Sequence, residues 1–113
     1  MKKTFVKAVL FVLSALNLNV SASEQIYNTA IEKMSVYDTY AVIKLKTPGL
    51  NSEGCSKSDA GRYASVSFDT ANGREMYSAL LSAKLAKAEV GLGLSGCRSW
   101  GSATIPLIYR VDL

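Results

Sequence analysis

Three glycines, Gly91, Gly93 and Gly96, stand in the stretch VGLGLSGC at the spacing G-x-G-x-x-G. Such a loop cradles a pyrophosphate when it follows a strand and opens a helix, because the phosphate then meets the helix's amino end. Here the residues before it carry a helical period, and the stretch itself alternates. Ala88, Val90, Leu92 and Leu94 point one way; Glu89, Gly91, Gly93 and Ser95 point the other. The glycines therefore belong to a strand, and the match is accidental. Bare glycines along one strand face mark close approach by a ring, a backbone or a ligand. Trp100 is the nearest covering group in sequence.

The other chemistry-bearing residues are sparse. The chain has no histidine, which removes the commonest general base and the Ser-His and Cys-His nucleophile pairs. Glu53 and Asp59 fall in a polar loop. Asp69 and Glu75 border a helix start, where negative charge is favourable for structural reasons. No constellation meets the criteria for a catalytic site, so the expectation is a protein that is not an enzyme and holds no cofactor or metal. Structural zinc takes four Cys or His ligands; this chain offers only Cys55 and Cys97, which leaves a disulfide between them. For binding, the candidate surface is Trp100 with Arg98, in GCRSWGS just past that bond. An exposed indole beside a cation is a platform for a sugar ring or a peptide. The competing reading has Trp100 capping the core or packing on the disulfide, since aromatic side chains mainly supply buried area. Tyr27, Tyr37, Tyr40 and Tyr63 can extend such a surface. Lys44 and Lys46, on one strand face, read as solvated edge protection.

These residues need a scaffold, and its extent comes first. Lys2 and Lys3 precede the apolar run FVKAVLFVLSAL and then NLNVSAS, the pattern of a secretory signal peptide. Cleavage is expected after Ala22, with Ser23 as the alternative, giving a leader of 1–22 and one small domain of 23–113. Lys7 and Asn17 break the run short of the about 20 apolar residues of a membrane span, so no stable membrane insertion is expected after leader removal. The chain's net charge of +4 then falls to +1, because Lys2, Lys3 and Lys7 leave and every acid stays. A nearly neutral domain gives no reason to expect a nucleic-acid partner, and it places the weight of binding on the aromatic ring. Location is expected to be secreted or periplasmic, the oxidising compartments in which a small domain gains from a disulfide.

Within the domain, residues 26–36 fit either a helical face or a strand; a hairpin through Tyr37-Asp38 is favoured because it gives the next strand a neighbour. Residues 39–46 alternate, with Ala41, Ile43 and Leu45 on one side. Thr47 to Arg62 is a long Gly/Ser/Asn-rich loop pinned through Cys55. A strand follows, with Ala64, Val66 and Phe68 inward and Tyr63, Ser65 and Ser67 outward. Asn72 then caps a helix with Glu75 in its first turn. That helix carries an apolar stripe of Met76, Tyr77, Leu80, Leu81 and Leu85. Ser78, Ala79, Ser82, Ala83 and Ala86 leave its other side thin enough for a homo-oligomer contact. Ile105, Leu107, Tyr109 and Val111 share a face of the last strand, with Pro106 at a strand start or edge. The expected fold is α+β, mostly β with one helix: a small OB-like five-stranded barrel, order β-β-β-α-β-β, with one disulfide.

NGREMYSALLSAKLAKAEVGLGLSGC resembles a segment of a group of short exported bacterial proteins, which share the helix with its MYSALL type of core, the strand, and a Gly-Cys after it. The strand–helix order over Ala41 to Val111 is also similar to that of AB5 toxin B subunits. That resemblance implies an OB fold and a glycan-binding role, with no sugar-contacting residue that maps onto this chain. The function expected is a small secreted or periplasmic binding module, non-catalytic, for a glycan or protein ligand. The alternative is a self-assembling or accessory/inhibitor protein of an exported enzyme.

Overall fold

The computed structural model describes residues 23–113; the expected leader, 1–22, lies outside the described residues. The elements are β1 (Glu24–Thr29), β2 (Ile31–Val36), β3 (Tyr40–Leu45), a single 3₁₀ turn (Ala60–Arg62), β4 (Tyr63–Ser67), α1 (Gly73–Ala86), β5 (Val90–Trp100) and β6 (Ala103–Asp112). They form one six-stranded sheet in the order β1-β5-β6-β4-β3-β2. All neighbours are antiparallel except β4 and β6. The described residues are thus mostly β with one helix, and Cys55 and Cys97 are bonded, their Cα atoms 5.7 Å apart.

The expected five strands become six, and the element order becomes β-β-β-β-α-β-β. The chain from 24 to 36 is extended throughout, but it changes partner at Ala30. Thr29 pairs with Val90 on β5, while Ile31 pairs with Leu45 on β3. Hydrogen bonds hold the corner: the buried Thr29 hydroxyl donates to the Thr47 carbonyl and accepts from its amide, both at 3.1 Å, and the Lys46 amide donates to Ala30 O. A strand that leaves one partner for another bends where it switches. β1 and β2 are consequently the two outer strands of the sheet, and no ladder between them closes it into a barrel.

The core lies between the sheet's inner face and α1. Ala41, Ile43, Leu45, Ala64, Val66 and Leu92 are fully buried there, and the helix contributes Leu80 and Ala83. Two assignments on the helix change. Leu85, expected in the apolar stripe, is 76 % exposed: it stands five residues from Leu80, about 140° around the axis at 3.6 residues per turn. Ala83, expected on the thin side, packs in the core, three residues from Leu80. Asn72 is the N-cap residue but makes no side-chain cap bond. The helix stops at Lys87, which takes a left-handed conformation (φ 55°) where glycine or asparagine is usual.

β5 contains all three glycines of the G-x-G-x-x-G stretch, so no phosphate loop exists there. It begins at Val90, which leaves Ala88 exposed rather than inward. The glycine face is covered, but not by Trp100. A Cβ on Gly93 would lie 2.8–3.0 Å from the Tyr109 ring and hydroxyl, and one on Gly91 would meet Tyr27 O and the Asp112 side chain. Pro106 is not at an edge: β6 runs between β5 and β4, and Pro106 pairs with Cys97 where the β5 register shifts. An irregularity of that kind tolerates a residue without an N–H. Its carbonyl accepts from the Ser65 hydroxyl at 3.0 Å, which buries Ser65 on the face expected to be open.

Candidate functional site

The face of the sheet opposite the core carries the candidate site, and strand register assembles it. Lys33 of β2 stands opposite Lys44 of β3, and Lys44 opposite Tyr63 of β4. One step along, Ser35, Val42 and Ser65 form a second row. Trp100, the last residue of β5, reaches Tyr63 with ring centroids 5.1 Å apart and planes inclined at 54°. Lys33, Ser35, Val42, Lys44, Tyr63 and Trp100 line a groove of about 140 Å³. A water molecule needs only about 10–15 Å³ by a comparable measure, so the groove takes a ring-sized group.

A second aromatic pair braces this groove. Tyr37, from the β2–β3 turn, stacks on Tyr40 at 4.7 Å and 14°. Its hydroxyl accepts from the Trp100 indole N–H at 3.2 Å. The Arg98 guanidinium lies 3.8 Å from the centroid of Tyr40. It also donates from Nη1 to the Ser67 hydroxyl at 3.1 Å and from Nη2 to the Thr39 hydroxyl at 3.4 Å. Arg98 and Trp100 therefore share a face and are joined through two tyrosines, but only Trp100 lines the groove. Arg98 is committed to holding the Tyr40 ring.

The loop from Thr47 to Arg62 approaches from the disulfide side. The Asn51 amide clasps Cys55, donating to its carbonyl and accepting from its N–H, both at 3.0 Å. Ser56 and Thr104 exchange hydrogen bonds at 2.8 Å, and the Lys57 amide donates to Thr104 O. Those contacts carry the Lys57 ammonium to 5.2 Å from the Tyr63 centroid and 5.7 Å from that of Trp100. Lys57 also bonds Asp59 at 2.9 Å. The hydrogen bond with Asp59 raises the lysine above its ordinary range, and the same bond holds the Asp59 carboxyl below the usual one.

The sign of that coupling gives a prediction. Asp59's depressed value makes its contribution present above the normal carboxylate range and lost as pH falls through the lowered value. Lys57's raised value makes its contribution present below the normal lysine range and lost on the alkaline side. Trp100 is the chain's one tryptophan. Its emission is expected to stay flat from about pH 5 to 9 and to change below about pH 3.9, the ordinary aspartate value, as Lys57 is released. Asp59→Asn should remove the acid step in a fluorescence titration.

Of the carboxylates named from sequence, Asp59 pairs with Lys57, and no group of three or more Cys, Asp or Glu side chains converges among the described residues. Glu24 was not legible as a functional acid: it is buried, and its carboxylate accepts from the Leu50 and Ser52 amides, fixing the start of the loop. Lys44 is not edge protection, because β3 is paired on both sides. Lys46 lies away from the groove, in a cleft with Glu32, Lys84 and Lys87 at the end of α1 that contains no aromatic ring. Among the described residues no helix is long and apolar enough to cross a membrane. Comparison with known protein families, curated proteins and solved structures finds no match to this chain.

Proposed function

We propose that the chain is a secreted or periplasmic binding module without catalytic activity, which holds a glycan or protein ligand against Trp100 and Tyr63. The observation that carries this reading is the inclined Trp100–Tyr63 pair beside an open groove. Aromatic faces offer large contact area, and Trp and Tyr suit sites that are apolar at one end and wet at the other. The disulfide supports an oxidising compartment.

We also read the fold as OB-like. Counting β1 and β2 as one strand bent at Ala30 restores five strands with the helix between the third and the fourth. OB folds bind ligands on the face of their second and third strands, with help from the loops after the first and fourth strands. In that count the groove spans the second and third strands, β3 and β4, together with the latter half of the first, β2. Tyr37 comes from the first of those loops, and Trp100 stands at the start of the other. A self-assembling role is the second reading, favoured by Leu85, which lies exposed near Ser78 and Ser82 on the outer side of α1.

Trp100→Ala tests the first reading. The residue is only partly buried and is not among the core residues, so the melting temperature is expected to change little. Retention on a glycan or protein array should be lost. Unfolding on substitution would instead place the indole's role in stability.

A further inference from the structure

Resting on that binding face, we infer that its ligand is an acidic saccharide: a sugar ring laid on Trp100 and Tyr63, with a carboxylate or sulfate held between Lys33 and Lys44. The argument begins with a destabilising feature. Lys33 and Lys44 are directly opposed on antiparallel strands, and like charges in that position cost stability. Among the described residues the only ion-pair partner near them is Glu32, 4.0 Å from Lys44. Lys33 has no ion-pair partner among the described residues. Both lysines line one groove, immediately beside Tyr63 and Trp100. An anion seated between them removes the repulsion and makes charge-assisted hydrogen bonds to both ammonium groups. The net charge of +1 over residues 23–113 conceals this local concentration, to which Lys57 adds a third ammonium, shared with Asp59.

The aromatic arrangement favours one ring over a run of bases. Proteins that hold single-stranded nucleic acid present successive platforms along a basic track. Here Tyr37 and Tyr40 are stacked on each other, and Arg98 lies over Tyr40. Only the Trp100–Tyr63 pair borders the groove, which is the size of one ring rather than of a strand.

Trp100 emission reads the test directly, because no other tryptophan contributes. The full chain, after export, is titrated with a sulfated disaccharide, a uronic-acid disaccharide, cellobiose and oligothymidylate. One of the two acidic sugars should bind at least about tenfold more tightly than cellobiose, a fold-change within reach of a charge-assisted pair. Which one does so distinguishes sulfate from carboxylate. Lys33→Gln and Lys44→Gln should each weaken that binding and reduce its salt dependence, Lys→Arg should retain it, and neither Gln variant should be less stable than the parent. Cellobiose bound as tightly as the acidic sugars, and lost in Trp100→Ala, would overturn the acidic ligand while leaving the binding face intact. Tighter binding of oligothymidylate overturns the saccharide assignment. No response to any sugar removes the acidic ligand, and a glycan or protein array that also retains nothing removes the binding face with it.

Discussion

Replacing Cys97 with serine is expected to lower the folding stability by about 2–5 kcal/mol, the range for native disulfides in small secreted domains. The bond spans 42 residues, and the chain-entropy relation gives about 4 kcal/mol for a loop of that length. The loop it closes contains β4 and α1, so cutting it frees much of the domain in the unfolded state rather than a surface tip alone. Cys97 is exposed while Cys55 is buried, which makes Cys97 the gentler position to change. Ser56 and Lys57 keep their hydrogen bonds to Thr104 in the variant, so the native fold should still form in dilute buffer. Urea melts of the oxidised parent and the variant measure the difference. Equal midpoints would mean that the loop is held as firmly without the bond. The variant should also show a shifted Trp100 emission, because Cys55 anchors the segment that brings Lys57 to the ring.

Much of this fold was legible along the chain because the responsible signals are local. Alternation at Ala41–Leu45 and Ala64–Val66, and a change to helical period after Asn72, locate β3, β4 and α1 to within a residue or two. Export logic and the count of two cysteines locate the disulfide. The break at Ala30 was not legible, since nothing in Thr29-Ala30-Ile31 differs from a continuous strand. It is fixed by which partner each half finds, Val90 or Leu45, and that is a tertiary fact. The site divides the same way. Trp100 and Arg98 stood out as an aromatic beside a cation in a short polar stretch. Tyr63 was one tyrosine among several, and Lys33 and Lys44 looked like ordinary surface lysines until register placed them opposite one another. Burial of Ser65 depended on the Pro106 carbonyl, 41 residues away. Leu85 shows the reverse error, in which hydrophobicity without its helical angle put a residue in the core.

Gly73→Ala carries the other large expected effect, and its sign opposes helix propensity. Alanine is favoured over glycine by about 0.8–1.0 kcal/mol in a helix interior, and Gly73 opens α1 without a positive φ. On propensity alone the change should stabilise. The space a Cβ needs is already occupied by the Ser67 carbonyl oxygen, with Thr70 Oγ1 at 2.9 Å. That carbonyl accepts from the Thr70 hydroxyl, and Ser67 is the last residue of β4, whose own hydroxyl accepts from Arg98. Moving it means moving backbone at the end of a paired strand, together with the Arg98–Tyr40 contact. Overpacking of a tight interior costs typically about 1–3 kcal/mol and occasionally more; with backbone as the obstacle, Gly73→Ala should reach the upper end. Gly93→Ala is the control. Its obstacle is the far end of the Tyr109 ring, and Tyr109 is 49 % exposed, so the ring can swing outward at smaller cost. Urea midpoints should therefore fall much further for Gly73→Ala than for Gly93→Ala. If Gly73→Ala proves neutral or stabilising, the first turn of α1 is free to shift away from β4, and the rigid link from helix start to Arg98 does not exist.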